Sequence, residues 1–211
     1  MEIIAKDIFY LKAKDYTLLF VNDRRERNKM NFVRTDIRDV VLIEPEIFGD
    51  QRGFFMETWE SRKFAEAGIN ATFVQDNHSR SAKNVLRGFH YQINHPQGKL
   101  VRTILGTVFD VAVDLRKSSP TFGQWVGEVL SDENKRMLWV PPGFGHGFYV
   151  ISEYAEVVYK CTDFYAPLQE RSIIWDDVDL AVVWPIPEGQ VPILSAKDKA
   201  GERFRDAECF P

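Results

Sequence analysis

Short runs of β-branched and aromatic residues recur along the chain from residue 40 onward, and turn-forming residues separate them. Such runs are typical of β-strands. Helical periodicity is scarce, with one short candidate at Glu60–Ala67 and a turn or single helical turn at Ser131–Arg136. Because many short strands succeed one another without long helices between them, the pattern predicts an all-β sandwich or barrel. The predicted strands are Val40–Ile43, Leu100–Leu105, Val108–Leu115, Trp125–Leu130, Met137–Val140, Gly147–Ile151 and Ala155–Thr162.

The alternation of apolar and polar residues is clearest in Val108–Leu115. Successive side chains of a strand point to opposite faces, so one face of this segment carries only apolar side chains. The other face carries two carboxylates, Asp110 and Asp114, together with Val108 and Ala112. That second face either lines an internal cavity or meets solvent. We expect Asp110 to face an active-site cavity and Asp114 to be a structural or exposed carboxylate.

Composition narrows the class of protein. The chain has 211 residues, of which 45% are hydrophobic and 27% charged, as in ordinary folded proteins. Its net charge of −4 gives no basis for general nucleic-acid binding, although a few converging arginines can still bind an anionic ligand. Two cysteines, Cys161 and Cys209, make no disulfide framework. The longest apolar run near the N-terminus, Tyr16–Val21, is too short to cross a bilayer. We therefore expect a cytoplasmic protein with neither a nucleic-acid nor a membrane partner.

The first 29 residues differ from the rest of the chain. They end in the charged stretch Asp23–Lys29, after which Met30 begins a segment that resembles a natural start. We interpret residues 1–29 as a non-essential leader and residues 30–211 as one domain. The alternative is that residues 1–29 form an edge strand or a dimer arm.

All four histidines lie between residues 78 and 146. A histidine on a strand, such as His90, can accept a proton at neutral pH if a carboxylate fixes its tautomer, and the alternative is a core histidine bonded to the backbone. Strict alternation places Gly88, His90 and Gln92 on one face and Arg87 on the other. Arg87 can therefore join His90 only if Gly88 marks a bulge or Arg87 lies at the strand's rim.

Two further segments carry candidate chemistry. The Pro-x-Gly-x-x-His spacing from Pro141 to His146 resembles the second motif of the cupin superfamily. Metal-binding cupins also carry a His-x-His pair, but here the corresponding place reads His90-Tyr91-Gln92, a poor ligand set, so we expect a metal-free barrel. Tyr159, on the last predicted strand, is either a packing residue or a phenol that donates a proton from the face opposite a histidine base.

Eight segments occur together in a fixed order: Phe48–Glu57, Gln75–Asn77, Leu86–Gln92, Gln97–Arg102, Val108–Arg116, Pro141–Phe148, Tyr159–Pro167 and Leu194–Asp198. In this order and spacing they closely resemble the dTDP-4-dehydrorhamnose 3,5-epimerase family. The resemblance runs from about Met30 to near residue 200. It implies a cupin-type jelly roll with a few short helices, which forms a homodimer, binds its ligand inside each barrel and needs no cofactor.

The resemblance also implies roles for individual residues. His90 matches the base, Asp198 the carboxylate that orients it, and Tyr159 the proton donor. Lys99 matches the residue near the sugar's 4-keto oxygen, and His146 matches a further active-site residue. The remaining matches are to substrate-binding positions, some of them contributed by the neighbouring subunit. These are Arg52 and Arg87 for the pyrophosphate, Glu57, Gln75, Asp76 and Asn77 for the nucleotide, Tyr165 for stacking on thymine, and Phe55, Glu170 and Lys197.

The function that the resemblance implies is epimerisation of a dTDP-linked 4-keto-6-deoxyhexose in deoxysugar biosynthesis, with inversion at both C3 and C5. An enzyme that inverts only C3 or only C5 would keep much of the same pocket. Two other classes are less favoured, a metal-dependent cupin dioxygenase or isomerase and a non-catalytic sugar-binding cupin. Bound metal would identify the first, and a failure to exchange the C3 and C5 protons with solvent would identify the second.

Overall fold

The structure, a computed structural model, describes residues 29–211, so the proposed leader lies outside the described residues except for Lys29. The described chain forms thirteen strands and two short α-helices, α1 (Ser61–Glu66) and α2 (Ala196–Lys199), with a 3₁₀ helix at Pro167–Gln169. The strands are β1 (Asn31–Arg34), β2 (Val41–Glu44), β3 (Ile47–Asp50), β4 (Gly53–Met56), β5 (Gln75–Ala82), β6 (Leu86–Gln92), β7 (Lys99–Leu105), β8 (Thr107–Asp114), β9 (Trp125–Ser131), β10 (Met137–Val140), β11 (Phe144–Val150), β12 (Tyr154–Cys161) and β13 (Glu170–Ser172).

Two antiparallel sheets face each other. The larger has six strands in the order β1-β2-β10-β7-β12-β5, and the smaller has five in the order β13-β6-β11-β8-β9. Apolar side chains from both sheets meet between them, among them Leu138 and Val157 from the larger sheet and Ala112 and Phe148 from the smaller. The predicted all-β jelly roll is confirmed. Strands β3 and β4 form a separate hairpin.

The smaller sheet is buried on both faces. On β8, Val108 and Ala112 point into the space between the sheets. Val111 and Val113 point the other way, into a second cluster that includes Trp184 and other residues of the C-terminal segment. The predicted alternation is therefore confirmed, and the face that carries the carboxylates is the interior one.

Asp114 is a buried structural carboxylate, one of the two alternatives that its position on β8 left open. It accepts hydrogen bonds from the side chains of Arg116, Ser119 and Thr121. Burial raises the pKa of this carboxyl group, but these bonds outweigh burial and lower the pKa to about 2. The network closes the turn that comes after β8.

The outer face of the larger sheet is partly covered by α1. Phe64 of this helix is 1% exposed and packs with Met137, Leu100 and Ile43. The helix forms where the sequence predicted it, because Glu60 caps its start by accepting a hydrogen bond from the Lys63 backbone. Among residues 29–211, neither helix is long and apolar enough to cross a bilayer.

Candidate active site

A cavity of about 330 Å³ opens between the two sheets. Its walls come from strands of both sheets and from the loops beside them, and most of its lining side chains are polar. From the larger sheet these are Gln75, Asn77, Ser79, Lys99 and Tyr159, and from the smaller sheet Arg87, His90, Gln92, His146 and Glu170, with Gln97 and Tyr165 on loops. Nine of the residues singled out from the sequence therefore meet in one place: His90, Tyr159, Lys99, Arg87, His146, Gln75, Asn77, Tyr165 and Glu170.

His90 lies against a buried carboxylate. Its Nε2 is 2.7 Å from Oδ1 of Asp198, whose side chain is only 3% exposed. The ring N–H is not aligned with this contact, which makes it a close ion-pair distance rather than a well-formed hydrogen bond. Catalytic hydrogen bonds are often misaligned before substrate binds. The pair can thus fix the ring's orientation and stabilise a positive charge on it.

Asp198 is held by the first turn of α2. Its Oδ1 accepts from the backbone N–H of Gly88 at 3.1 Å, and its Oδ2 accepts from the Ser195 hydroxyl. A capping box adds two reciprocal bonds, in which Oδ2 of Asp198 accepts from the Ser195 N–H and Oγ of Ser195 accepts from the Asp198 N–H. Burial would raise its pKa, but the close contact with His90 and the hydrogen bonds from Ser195 and Gly88 outweigh burial, so the pKa is far below its usual value. The carboxylate is therefore ionised at neutral pH.

Burial also lowers the pKa of His90, and Asp198 only partly offsets this effect. The nearby ammonium groups of Lys197 and Lys99 lower the pKa of His90 further. At neutral pH the imidazole is therefore uncharged and able to accept a proton. Its side chain remains 27% exposed, so it can reach a bound molecule.

A bulge in β6 brings Arg87 and His90 to the same wall. The register between β6 and β11 slips between the pairs that these two residues make, so that Gly88 and Phe89 oppose Gly147 alone. Strict alternation would have sent Arg87 to the other face, whereas with the extra residue both side chains line the cavity. The condition that the sequence set for Arg87, a bulge at Gly88, is met.

Only glycine fits at the bulge. Gly88 has a φ angle of +108°, and a Cβ atom there would lie 2.5 Å from the carbonyl oxygen of His146. Any side chain would therefore push β6 away from β11 and disturb the placement of His90.

Tyr159 lies on the wall that faces His90. The two residues belong to different sheets, β12 and β6, and both line the cavity. Burial raises the pKa of the Tyr159 phenol, and Cys161 and Glu170 add to the rise while Arg87 opposes it. The phenol is therefore protonated at neutral pH and suited to donating a proton.

Lys99 is a buried ammonium group at the back of the cavity. It is 9% exposed, and its Nζ donates to the carbonyl oxygen of His90 at 3.4 Å. Burial lowers its pKa, whereas Cys161, Asp110 and Glu170 raise it in part. Cys161 is fully buried beside it.

His146 forms a second histidine–carboxylate pair. Its Nε2 is 2.9 Å from both oxygens of Asp110, which is completely buried. The His146 ring also lies 6.5 Å from the ring of Tyr159, measured between centroids. Asp110 therefore fixes a cavity residue rather than facing solvent, and it reaches the cavity through His146.

Tyr165 sits at the mouth of the cavity. Its hydroxyl donates to Oε2 of Glu170 at 2.9 Å, and its backbone N–H donates to Oε1 of Gln75 at 2.9 Å. Lys197 pairs closely with the same Glu170. The ring itself is 55% exposed, which leaves an aromatic surface available to a ligand.

Besides Lys197, four predicted binding residues do not line the cavity of their own chain. Arg52 and Phe55 belong to the β3–β4 hairpin, where the Arg52 side chain is 89% exposed and Phe55 is 68% exposed. Glu57, just after the hairpin, pairs with Lys63 of α1 at 2.6 Å.

Asp76 is the fourth of these residues, and it points to the outer face of β5. Its neighbours Gln75 and Asn77 take the inward positions, because side chains alternate along a strand. Asp76 pairs instead with Lys160 at 3.0 Å. Within one chain, Asp76 therefore does not line the cavity, and its contact with the nucleotide stays a prediction.

Six cavity residues were not singled out as binding or catalytic residues from the sequence: Ser79, Tyr91, Gln92, Gln97, Gly147 and Phe148. The signal for Ser79 was its parity with Gln75 and Asn77, and the signal for Gln92 was its parity with His90. Across residues 29–211, no three His, Cys, Asp or Glu side chains come together as a metal site. The expected independence from metals and cofactors stays a prediction.

Comparison with known proteins gives a consistent set of relatives. The model of the dTDP-4-dehydrorhamnose 3,5-epimerase family matches residues 34–206. The dTDP-4-dehydrorhamnose 3,5-epimerase of Pseudomonas aeruginosa is 61% identical over 183 residues, which cover 86% of this chain and 100% of that protein.

Solved structures agree with these relatives. A dTDP-6-deoxy-D-glucose-3,5-epimerase from Legionella pneumophila, in complex with dTDP-4-keto-L-rhamnose, has a TM-score of 0.82 at 53% identity and covers 85% of this chain and 95% of that one. A 3′-monoepimerase from Streptomyces bikiniensis, in complex with dTDP-quinovose, has a TM-score of 0.76 at 31% identity and covers 82% and 87%.

Proposed function

Because this chain belongs to the dTDP-4-dehydrorhamnose 3,5-epimerase family, we propose that it converts dTDP-4-dehydro-6-deoxy-D-glucose to dTDP-4-dehydro-L-rhamnose, an isomerisation in dTDP-L-rhamnose biosynthesis. One observation carries the proposal: His90 and Tyr159 lie on facing walls of a single cavity. Inverting a carbon requires that a proton leave one face and that another arrive at the opposite face.

Proton removal falls to His90. C3 and C5 both flank the 4-keto group, so the loss of either proton gives an enolate. The neutral imidazole takes the proton, and the ionised Asp198 beside it stabilises the imidazolium that forms. General base catalysis of this kind typically contributes about 10²–10⁴-fold to a rate.

Lys99 stabilises the enolate oxygen. Its Nζ lies beside the β6 strand that carries the base, inside a cavity where few other groups can screen it. A fixed positive charge or N–H donor at such a site acts on the charge that develops at the 4-oxygen, which lowers the barrier to deprotonation.

Tyr159 completes each inversion. Its hydroxyl donates a proton to the carbon from the face opposite His90, and the resulting phenolate is neutralised by a proton from solvent. The substrate's original proton leaves His90 to solvent in the same way. The chain's own residues and solvent account for every proton, so the proposal includes no cofactor.

Arg87 and Tyr165 hold the nucleotide in this proposal. The guanidinium of Arg87 lines the cavity and suits the pyrophosphate, because its planar fork pairs with phosphate oxygens. The exposed ring of Tyr165 at the mouth suits stacking on thymine. Binding energy from these remote groups positions the sugar against His90 and Tyr159.

We place the activity in the cytoplasm, on the basis of two free, buried thiols, Cys161 and Cys209.

A homodimer would supply the missing binding residues. The β3–β4 hairpin exposes Phe48, Phe54 and Phe55 by 50%, 56% and 68%, and a cluster of exposed apolar side chains is typical of a protein–protein contact. If the hairpin of one subunit packs beside the cavity of the other, Arg52 and Phe55 reach the ligand in the partner's site.

Mixed dimers test this arrangement. Arg52→Ala leaves the cavity intact, and His90→Ala leaves the hairpin intact. After subunit exchange at equal amounts, half of the dimers are mixed, and each has one site with both parts intact. We expect about a quarter of wild-type activity to return, according to the statistics of a two-fold dimer. No recovery in verified mixed dimers would contradict the shared site.

Proton NMR in D₂O with dTDP-4-dehydro-6-deoxy-D-glucose tests the activity itself. We expect deuterium at both C3 and C5 and the appearance of the L-sugar, and His90→Ala should abolish both. Labelling at C3 alone would instead support a monoepimerase, the second candidate, which the likeness to the Streptomyces bikiniensis enzyme raises. Nucleotide binding with no labelling would identify a binding protein, and loss of activity on removal of stoichiometric bound metal would identify a metal-dependent cupin.

A further inference from the structure

Gln92 is a buried amide in the wall of the cavity, two residues beyond His90 on β6. It is 4% exposed, and its polar atoms are bonded to the rim of the cavity. Its Nε2 donates to the carbonyl oxygens of His95 at 2.7 Å and Phe164 at 3.1 Å, and its Oε1 accepts from the backbone N–H of Ala166 at 2.8 Å. Both donors and one acceptor position of the amide are therefore in use.

These contacts bracket Tyr165. Phe164 precedes it and Ala166 succeeds it, so Gln92 fixes the backbone on both sides of the aromatic residue at the mouth. The N–H of Tyr165 itself is held by Gln75. The Tyr165 ring is 55% exposed, but hydrogen bonds to the backbone around it fix its position.

We propose that Gln92 is a positioning residue for the nucleotide, acting through Tyr165; this inference rests on the proposed function. With two donors and an acceptor on one rigid amide, Gln92 orders the 164–166 segment before the ligand arrives. The ligand then does not bear the entropic cost of ordering that segment on binding. Gln92 is too fully bonded to serve as a main contact to the sugar.

Glutamine is the side chain that this geometry requires. Glutamate has the same size but would place a carboxylate oxygen, which is an acceptor, against the carbonyl oxygens of His95 and Phe164. Methionine also fills the space but offers no donor at all. Either change frees the segment around Tyr165 while leaving His90 on its strand.

Gln92→Met should weaken the binding of dTDP, measured by calorimetry, and raise KM for the 4-keto sugar by about tenfold, with kcat little changed. Tyr165→Ala should have a similar effect. If Gln92 acts through Tyr165, the double variant should be no worse than the more affected single variant. Independent, additive losses would overturn the proposal, as would a fall in kcat at unchanged KM.

Asn94→Ala is the matched control. Asn94 donates to the side chain of Gln169, so it joins the same two rim loops without touching the backbone around Tyr165. We expect near wild-type KM in this variant. If Asn94→Ala raises KM as much as Gln92→Met, the effect belongs to the rim in general, and the specific role of Gln92 is refuted.

Hydrogen exchange provides a readout that needs no ligand. In Gln92→Met, the Ala166 amide should exchange faster while the amides of β11 stay protected, and unchanged exchange at Ala166 would overturn the proposal. Gln92→Glu serves as the second variant if Gln92→Met does not fold. Wild-type protein that neither binds dTDP nor turns over the sugar would refute the proposed function; an active wild type with an unaltered Gln92→Met would refute only this inference.

Discussion

Replacing Asp198 with asparagine tests the electrostatic core of the proposed mechanism. The carboxylate lies 2.7 Å from Nε2 of His90 and is almost completely buried. Asparagine keeps the shape and one acceptor oxygen, which can serve either Gly88 or Ser195, and it removes the charge that stabilises the imidazolium. For unit charges centred about 4 Å apart at an effective dielectric constant of about 20, Coulomb's law gives about 4 kcal/mol. At about 1.4 kcal/mol per tenfold change, kcat should fall by about 10³-fold.

The assay is steady-state turnover of the 4-keto sugar, with deuterium exchange in D₂O as the measure of proton abstraction. We expect kcat and the exchange rate to fall together while KM stays near the wild-type value, since the pair does not contact the nucleotide. Ser195→Ala is the control, because it removes a bond that orients Asp198 and keeps the charge, so its loss should be far smaller. An Asp198→Asn variant within about tenfold of wild type would refute the electrostatic reasoning.

Four further outcomes are expected from the structure. Burial lowers the pKa of His90, so the activity measured as kcat/KM should fall off in acid at a lower pH than for an ordinary histidine. In Asp198→Asn this pH should be lower still, because the missing carboxylate raises the pKa of His90 in the wild type; an increase would contradict the reasoning. Tyr159→Phe should let solvent exchange persist while completed inversion fails, and unchanged turnover by NMR would remove Tyr159 from the donor role. Asp114→Ala should cost about 3–5 kcal/mol in urea unfolding, because it leaves buried donors and Arg116 without their partner, and a loss near zero would contradict this. Deleting residues 1–29 should preserve folding and activity, and loss of either would refute the leader hypothesis.

The apolar strands could be predicted from the sequence because the residues that pack into the interior form recognisable runs of apolar side chains. Met137–Val140 was predicted with its observed bounds, and Val108–Leu115 was displaced by one residue from the observed β8. Both strands pack apolar residues into the interior between the sheets. Helix α1 could also be predicted from the sequence, because it has a single apolar face and a capping glutamate.

Strand β5 escaped prediction for a physical reason. Its sequence, Gln75–Ala82, has polar side chains at almost every position, since one face lines the polar cavity and the other is exposed. A strand that serves the ligand on one side and solvent on the other shows no hydrophobic alternation. The β3–β4 hairpin was missed for the opposite reason: its aromatic residues are exposed rather than buried.

Only part of the candidate site could be predicted from the sequence. Pattern alone placed His90 on a strand and named a bulge at Gly88 as the condition for Arg87 to join it. Pattern could not pair His90 with Asp198, because that contact joins segments about 110 residues apart, as the Gly88–Asp198 bond shows. The pairing came from family resemblance. Tyr165 likewise gains its place from Gln92 and Gln75, contacts that local sequence does not encode.

The two histidine–carboxylate pairs in the cavity differ in exposure, and this difference favours His90 as the proposed base. The side chain of His146 is 7% exposed, and Asp110 holds its Nε2 with both oxygens, whereas the side chain of His90 is 27% exposed and meets a single oxygen of Asp198. A base has to approach a carbon-bound proton, transfer it and return it to solvent, all of which need access. His146 has less of that access and lies beside the ring of Tyr159, so we propose that it orients the donor and the sugar. We therefore propose different tasks for the two histidine–carboxylate pairs, according to the exposure of each histidine.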